Sequence, residues 1–280
     1  MPLASDQGAD THKVFAANRA VGSVAFAAKL SSGMTRRGDV HEAGSLRVRF
    51  PSPETDALSA VLVNTAGGVA GGDRFSVSID AGAGSALTLT TAAAEKIYRS
   101  NGPEAVIDVS LRAEAGARLA WLPQETILFD RARLSRRIDI DLHEQASLLL
   151  AEIVVFGRTA MDETMAEGGY CDRWRMRRGG RLVFAETLRL DGDIGAKLAQ
   201  PAIAGGGTAV ATVLIAPGTE QTVERIRAAA SVFKAQVGVS AWNGFALARF
   251  CAKDAAALRS DVMTLLAQVD AKALPRLWLN

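Results

Sequence analysis

The chain has few of the residues that build disulfide frameworks or soft-metal sites. Among its 280 residues are only two cysteines and three histidines, and aromatic residues make up 6%. Cys171 and Cys251 do not form a CxxC motif, and the histidines are isolated from one another along the chain. We therefore expect no permanently bound cofactor. Any metal contact would rest on carboxylates and backbone oxygens, which hold borderline metals weakly.

The chain also lacks long apolar runs and a charge imbalance. Its best apolar run, Leu148–Phe156, is interrupted by Glu152 and is far short of the ~20 residues of a membrane-spanning helix. The polar N-terminus carries Asp6 and Asp10 before any apolar stretch, unlike a secretory signal. The net charge of +2 lacks the basic excess of most nucleic-acid-binding proteins. These features predict a cytoplasmic protein that binds neither a membrane nor nucleic acid.

Alternating polar and apolar residues predict that the first 190 residues are mainly β-strand. In residues 75–80, strict alternation places Phe75, Val77 and Ile79 on one face. Four further segments alternate in a similar way, namely 87–91, 106–112, 138–142 and 182–190. Glycine, proline, asparagine and aspartate separate them at short intervals, as turns between strands require.

A weak internal repeat lies within this β-rich region. The turn glycines Gly84 and Gly116 are 32 residues apart, and Ala146 follows Gly116 by 30. Each copy comprises a strand, a turn of small residues, a second strand and then an acidic residue; these acids are Glu95, Glu125 and Glu152. Recurrence at this spacing is typical of stacked β-units. We therefore predict a mainly β, solenoid-like stack, with a sandwich or a barrel as the alternative.

The last third of the chain changes character. A helix is predicted over 220–236, and a second helix, capped by Asp254, runs to about residue 269. Between them, Asn243-Gly244 predicts a β-hairpin. The apolar ending over 273–280 is expected to be extended and docked. Because no linker-like segment divides the chain, we predict a single domain over 1–280, with residues 1–14 disordered.

The densest motif is Asn64–Asp73, with two glycine pairs. Paired glycines permit positive φ angles and close approach of the backbone, as in a tight corner between strands. It is not a phosphate-binding loop, because a strand follows it and no Lys-Ser or Lys-Thr pair is present. Asp73, directly after the second pair, is its most plausible functional polar residue.

Charged residues outside the glycine motif are further candidates for a functional or structural role. Glu152 interrupts an apolar run, so its carboxylate should be paired or lie along an internal polar path, and Arg158 is a candidate partner. Glu125 follows Gln124 in a turn between two apolar runs. The alternating arginines 173, 175 and 177 indicate a solvated strand face, with an acidic partner as the alternative. No catalytic motif is present, so we do not expect an enzyme.

Several motifs together resemble the urease accessory protein D family. They are the segments 64–73, 90–100, 121–126, 156–158, 160–163, 240–242 and 274–278, in the family's order. Ala92 and Asp162 depart from the usual family residues. The resemblance marks as motif or interface residues Asn64, Gly67, Gly68, Gly71, Gly72, Lys96, Tyr98, Arg99, Gln124, Arg158, Glu163, Arg276 and Trp278.

The resemblance implies a β-rich scaffold with helices near the C-terminus and a non-catalytic role in nickel insertion. Such proteins join accessory protein F and the GTPase accessory protein G on apo-urease, and a nickel-delivery protein, E, feeds the complex. Our own hypothesis is that Asp73, Glu125 and Glu152 offer weak oxygen donors to transient nickel along an internal route. The alternative is that they form structural ion pairs. The competing class is a β-solenoid carbohydrate-binding protein or enzyme. The low content of aromatic residues argues against it, because such a site would need a groove lined with aromatic side chains.

Overall fold

The computed structural model describes residues 19–52, 57–270, 272 and 274–279. The expectation of disorder over residues 1–14 lies outside these ranges. The strands are β1 (Val21–Ser31), β2 (Met34–Gly44), β3 (Leu46–Arg49), β4 (Leu58–Asn64), β5 (Arg74–Ala81), β6 (Ala86–Thr91), β7 (Glu95–Ile97), β8 (Ala105–Ala113), β9 (Arg118–Trp121), β10 (Thr126–Leu128), β11 (Arg133–Leu142), β12 (Ser147–Arg158), β13 (Glu163–Thr164), β14 (Glu167–Arg178), β15 (Arg181–Asp193), β16 (Ala209–Ala216), β17 (Gln236–Trp242) and β18 (Phe245–Ala252). The helices are α1 (Ile194–Ala199), α2 (Glu220–Ala229) and α3 (Ala255–Asp270).

The strands form stacked coils with two main sheets. The first sheet has the order β15-β14-β11-β8-β5-β1-β2, and its five inner strands are parallel. The second has the path β17-β18-β16-β12-β9-β6-β4-β3, in which β12, β9, β6 and β4 are parallel. On a short third side, β10 pairs with β7 and with the end of β12. Successive coils pass from the first sheet to the second and then to the third side, which confirms the solenoid-like prediction.

The corners of the coils differ in length, and this changes which acids are equivalent. Because β10 and β12 pair at Thr126 and Val154, Glu125 is level with Ile153 and not with Glu152. An offset of one residue in a strand directs the side chain to the opposite face. The expectation that Glu125 and Glu152 occupy comparable places in adjacent coils is therefore wrong.

Two apolar cores hold the fold together. One lies between the two main sheets, and the other lies between the second sheet and the helices α2 and α3. Both helices of the C-terminal third are confirmed, as is the hairpin of β17 and β18. No helix in the described ranges is both long enough and apolar enough to cross a membrane.

The helix α2 ends at Ala229, seven residues before its predicted end. A 3-10 turn over Ala230–Val232 follows, and then the chain turns away in extended form. The physical reason is a tertiary contact, since buried Asp261 of α3 accepts hydrogen bonds from the backbone amides of Lys234 and Ala235. The prediction of an extended C-terminal segment is wrong within the described residues 274–279, because Arg276–Trp278 form a 3-10 turn.

The glycine motif forms the tight corner that its composition predicts. Gly67 and Gly72 have φ angles of +76° and +91°, which favour glycine. A Cβ atom at Gly71 would lie 2.0 Å from Ser100 Oγ and 2.5 Å from the backbone oxygen of Pro103. The corner therefore packs against the following coil with no room for a side chain.

We predict that Gly71→Ala lowers the free energy of unfolding by about 1–3 kcal/mol, because the added methyl forces the neighbouring backbone to move. Urea denaturation followed by tryptophan fluorescence measures the effect. Gly102→Ala is the control, since no heavy atom lies within 4 Å of its Cβ position. Equal stability of the two variants would contradict the tight contact at Gly71.

Candidate functional site

A buried charge cluster crosses the interior between the two main sheets. Arg136 of β11 donates through Nε to Asp172 at 3.0 Å and through Nη2 to the Tyr170 hydroxyl at 3.1 Å. Its Nη1 pairs with one carboxylate oxygen of Glu152, whose other oxygen accepts a bond from Trp121 Nε1 at 2.7 Å. All five residues are buried, and each of these polar groups has a hydrogen-bond partner within the cluster.

Strand parity places this cluster inside. On β11 the buried side chains alternate, so that Arg136 lies between Leu134 and Ile138 on the inward face. On β14, Asp172 occupies the same kind of position, and the parallel register pairs it directly with Arg136. The three alternating arginines of β14 therefore belong to the opposite, outward face.

The cluster contains one more negative than positive group when both carboxyl groups, Glu152 and Asp172, are ionised beside Arg136. Burial raises the pKa of Glu152, although Arg136 and the Trp121 hydrogen bond act to lower it. Burial lowers the pKa of Arg136, but Asp172 and Glu152 outweigh this and hold it well above its ordinary value, so the guanidinium stays charged. The interior thus favours uptake of one further positive charge, either a proton or a cation.

A cavity of about 360 Å³ ends at this cluster. Its walls are mainly apolar side chains from the inner faces of both sheets, among them Phe75, Val109 and Trp121. Arg136 and Glu152 line one part of it, and the glycine corner and the start of β7 line another. The cavity has room for several water molecules.

The corner and β7 are tied together at the mouth of this cavity. Asn64 Nδ2 lies 2.9 Å from the backbone oxygen of Gly68 and 3.1 Å from Glu95 Oε1. The Tyr98 hydroxyl donates to the backbone oxygen of Gly67 at 2.9 Å. Burial raises the pKa of Glu95 from 4.5 to about 7, against the lowering effect of the Asn64 hydrogen bond. Glu95, which is half-buried, therefore gains and loses its proton near neutral pH.

The structure separates the three acids that were expected to line the route. Glu152 faces the cavity, whereas Asp73 accepts the backbone amides of Ala20 and Ala70 at 2.8 and 2.7 Å and so holds the corner. Glu125 pairs with Arg259 at 2.6 Å beside the C-terminal turn. A transient metal role for Asp73 and Glu125 stays a prediction, and the geometry gives both of them structural partners.

Several motif residues stabilise the corners around the cavity. Gln124 and Lys96 both line this cavity. Gln124 Nε2 donates to the backbone oxygen of Thr91 at 3.2 Å. Arg158 pairs with Glu163 and not with Glu152, because Arg136 already occupies that carboxylate.

The other motif residues lie at the surface or at the C-terminal turn. Arg99 and Arg276 are exposed. Trp278 is buried, and its Nε1 donates to the backbone oxygen of Leu122 at 2.9 Å. The Arg259 guanidinium lies 4.9 Å from the Trp278 ring and also contacts Glu125. The turn therefore docks on the outside of the second sheet.

Sequence reasoning missed Arg136, Asp172 and Tyr170. A signal for Arg136 was present, since extending the alternation of residues 138–142 backwards places it on the apolar face. The same alternation along β14 places Asp172 on the inward face of the strand, away from the exposed arginines. A charged residue at an inward strand position requires a buried partner.

The cluster and the cavity offer oxygen donors in small numbers. Among the described residues, no three His, Cys, Asp or Glu side chains lie close enough together to hold a metal ion. A cation inside the solenoid would therefore meet one or two carboxylates at a time. Such contacts suit brief binding.

The fold and this interior define a β-solenoid protein with an enclosed polar site between its sheets. The chain matches the UreD urease accessory protein family over residues 19–279. It is 64% identical over 278 residues to urease accessory protein UreD of Rhodopseudomonas palustris strain CGA009, covering 99% of this chain and 100% of the relative. To UreD of R. palustris strain BisA53 it is 67% identical over 267 residues, covering 95% and 93%. To that of Bradyrhizobium diazoefficiens it is 65% identical over 270 residues, covering 96% and 98%.

The chain therefore belongs to the UreD urease accessory protein family, as its motifs had indicated. Membership gives it a role in urease maturation. The family is one of accessory proteins.

We predict that Arg136→Met lowers the free energy of unfolding by about 3–5 kcal/mol, because it leaves buried Glu152 and Asp172 without their cation. Urea denaturation measures the loss. The matched control is Arg137→Met, which removes a half-exposed guanidinium paired with Asp108 and Asp139. That change should cost less than about 1 kcal/mol, and a comparable loss in both variants would contradict the special role of Arg136.

A second prediction concerns Glu95→Gln. A carboxyl group with a pKa near 7 when folded and 4.5 when unfolded binds more protons in the folded state, so stability falls as pH rises through this window. Glutamine removes that fall. Above about pH 7 the variant should be more stable than the original chain by up to roughly 3 kcal/mol, with little difference near pH 4.5.

Urea denaturation across this pH range provides the test for Glu95→Gln. The exposed Glu224, changed to glutamine, serves as the control. A stability difference that does not change with pH would show that Glu95 titrates normally.

Proposed function

We propose that the chain is a cytoplasmic scaffold that joins accessory proteins F and G on apo-urease, and that its interior carries nickel towards the urease active site. The nickel-delivery protein E would supply the ion to the complex. Family membership over nearly the whole chain supports the role in assembly. The buried surplus of negative charge beside Glu152 is the single observation that supports the transport role.

The charge arithmetic explains why a cation would enter. Arg136 balances only one of the two carboxylates, Glu152 and Asp172. Because burial raises the pKa of Glu152, this group takes up a proton at a higher pH than an exposed carboxyl group does. A divalent cation that displaces this proton gains a carboxylate ligand in a site of low dielectric constant, where the attraction is strong.

The same geometry explains why the cation would leave again. Both carboxylates already accept hydrogen bonds from Arg136, and Trp121 holds the second oxygen of Glu152. A cation therefore competes with existing partners and cannot collect a full set of ligands. Weak, successive contacts are what transfer between proteins requires, since a closed thiolate or imidazole site would retain the metal.

Two other functions have less support. A scaffold that never contacts nickel would need neither a cavity of this size nor an unbalanced interior charge. A carbohydrate-binding role would need an exposed groove lined with aromatic and acidic groups, whereas Trp121 and Trp278 are buried.

We predict that Glu152→Gln lowers the nickel content and activity of urease several-fold, while assembly with F, G and apo-urease is unchanged. The amide keeps the size of the side chain but cannot bind the cation as a carboxylate. Nickel per urease subunit, measured by atomic absorption after maturation with purified proteins, gives the readout.

Glu125→Gln is the informative comparison for this experiment. It breaks the contact with Arg259 on the outside of the second sheet. Normal nickel loading would show that Glu125 is a structural residue, and reduced loading would place it on the route. Full nickel loading by Glu152→Gln would rule out passage along this carboxylate and leave the chain as a scaffold only.

A further inference from the structure

A row of polar side chains leads from the buried cluster towards the edge of the second sheet, as far as β18. Glu152 of β12 is paired in register with Thr212 of β16, and Thr212 is paired with Arg249 of β18. Directly paired residues in neighbouring strands share a face. Because Glu152 faces the first sheet, Thr212 and Arg249 face it as well.

The facing edge of the first sheet supplies a partner for this row. Glu186 of β15 pairs with Arg249 across the gap between the two sheets. The register of β14 and β15 places Glu186 beside Trp174 and Leu188 beside Asp172. The ion pair therefore lies on the side of the cluster away from the glycine corner.

A second, small cavity connects the ion pair with the cluster. It has a volume of about 40 Å³, and Thr212 and Glu186 line it together with Asp172. Arg136 and Glu152 line both this cavity and the larger one. The cluster is therefore a partition with space on each side. The smaller space suits one water molecule or one largely dehydrated ion.

The ion pair that borders this space is partly open to solvent. The side chains of Arg249 and Glu186 are 55% and 27% exposed. An ion pair at such exposure is weak and is screened by salt, so it opens at little cost. When Arg249 moves away, the Glu186 carboxylate becomes available at the end of the polar row.

We propose that Glu186 and Arg249 form a lateral gate of the interior, through which a divalent cation passes between Glu152 and the surface. The cation takes the place of the Arg249 guanidinium on Glu186, and the guanidinium returns when the cation has moved on. This inference rests on the proposed transport of nickel and adds the position and the chemistry of its second opening. The oxygen donors in order are Glu152, Thr212 and Glu186.

The test uses nickel loading of apo-urease by the complete accessory complex. Glu186→Gln should lower nickel per urease several-fold, and Glu186→Asp should restore most of it because the carboxylate is kept. Arg249→Met should retain full loading, since it frees the carboxylate. Glu220→Gln, which breaks the exposed pair with Arg227, is the matched control and should load normally. Assembly and thermal stability are measured for every variant.

The two members of the pair distinguish a gate from a structural contact. Loss of nickel loading in Glu186→Gln with retention in Arg249→Met supports the gate. Equal losses in both would show that only the ion pair matters to the fold, and full loading by Glu186→Gln would also overturn the gate. If Glu152→Gln fails to load urease while Glu186→Gln succeeds, the gate is wrong but the route stands. If both load fully, the proposed route is wrong as well.

Discussion

The guanidinium of Arg136 allows two carboxylates to lie inside a β-solenoid. Burying a lone carboxylate costs several kcal/mol, and the cost is recovered only where a fixed cation and further hydrogen bonds face it. Arg136 bonds both carboxylate oxygens of Asp172 and one of Glu152. Trp121 donates a hydrogen bond to the other oxygen of Glu152. This arrangement links the two sheets and, with both carboxyl groups ionised, leaves one negative charge unbalanced, on which the proposed transport of nickel rests.

The stacked strands of the solenoid extend this local arrangement along the interior. In-register strands place equivalent positions side by side across each sheet, so a polar residue on one strand has its neighbours at the same depth. The cavity beside the glycine corner, the charge cluster and the small space beside Glu186 therefore form a series along the interior. Helices α2 and α3 cover the second sheet from outside and take no part in the lining of either space.

The sequence allowed the prediction of the elements that local patterns control. Alternation identified the strands, the spacing of Gly84 and Gly116 indicated stacked coils, and paired glycines indicated the tight corner. Long-range contacts were beyond it. Arg136 and Asp172 are 36 residues apart and meet only because β11 and β14 are neighbours. Corner lengths vary without a local signal, so Glu125 was wrongly equated with Glu152. The early end of α2 depends on a hydrogen bond to Asp261, which lies 27 residues beyond Lys234 and is not indicated by any local sequence pattern.

The central claim is that nickel passes through the interior of this chain. The most direct measurement is an anomalous difference map at the nickel absorption edge, from crystals of the complex with accessory proteins F and G grown with nickel. The account predicts a peak between the sheets, within coordination distance of Glu152. The account would be contradicted if nickel were found only on the outer surface, with no interior peak and with the Glu152–Arg136 ion pair intact.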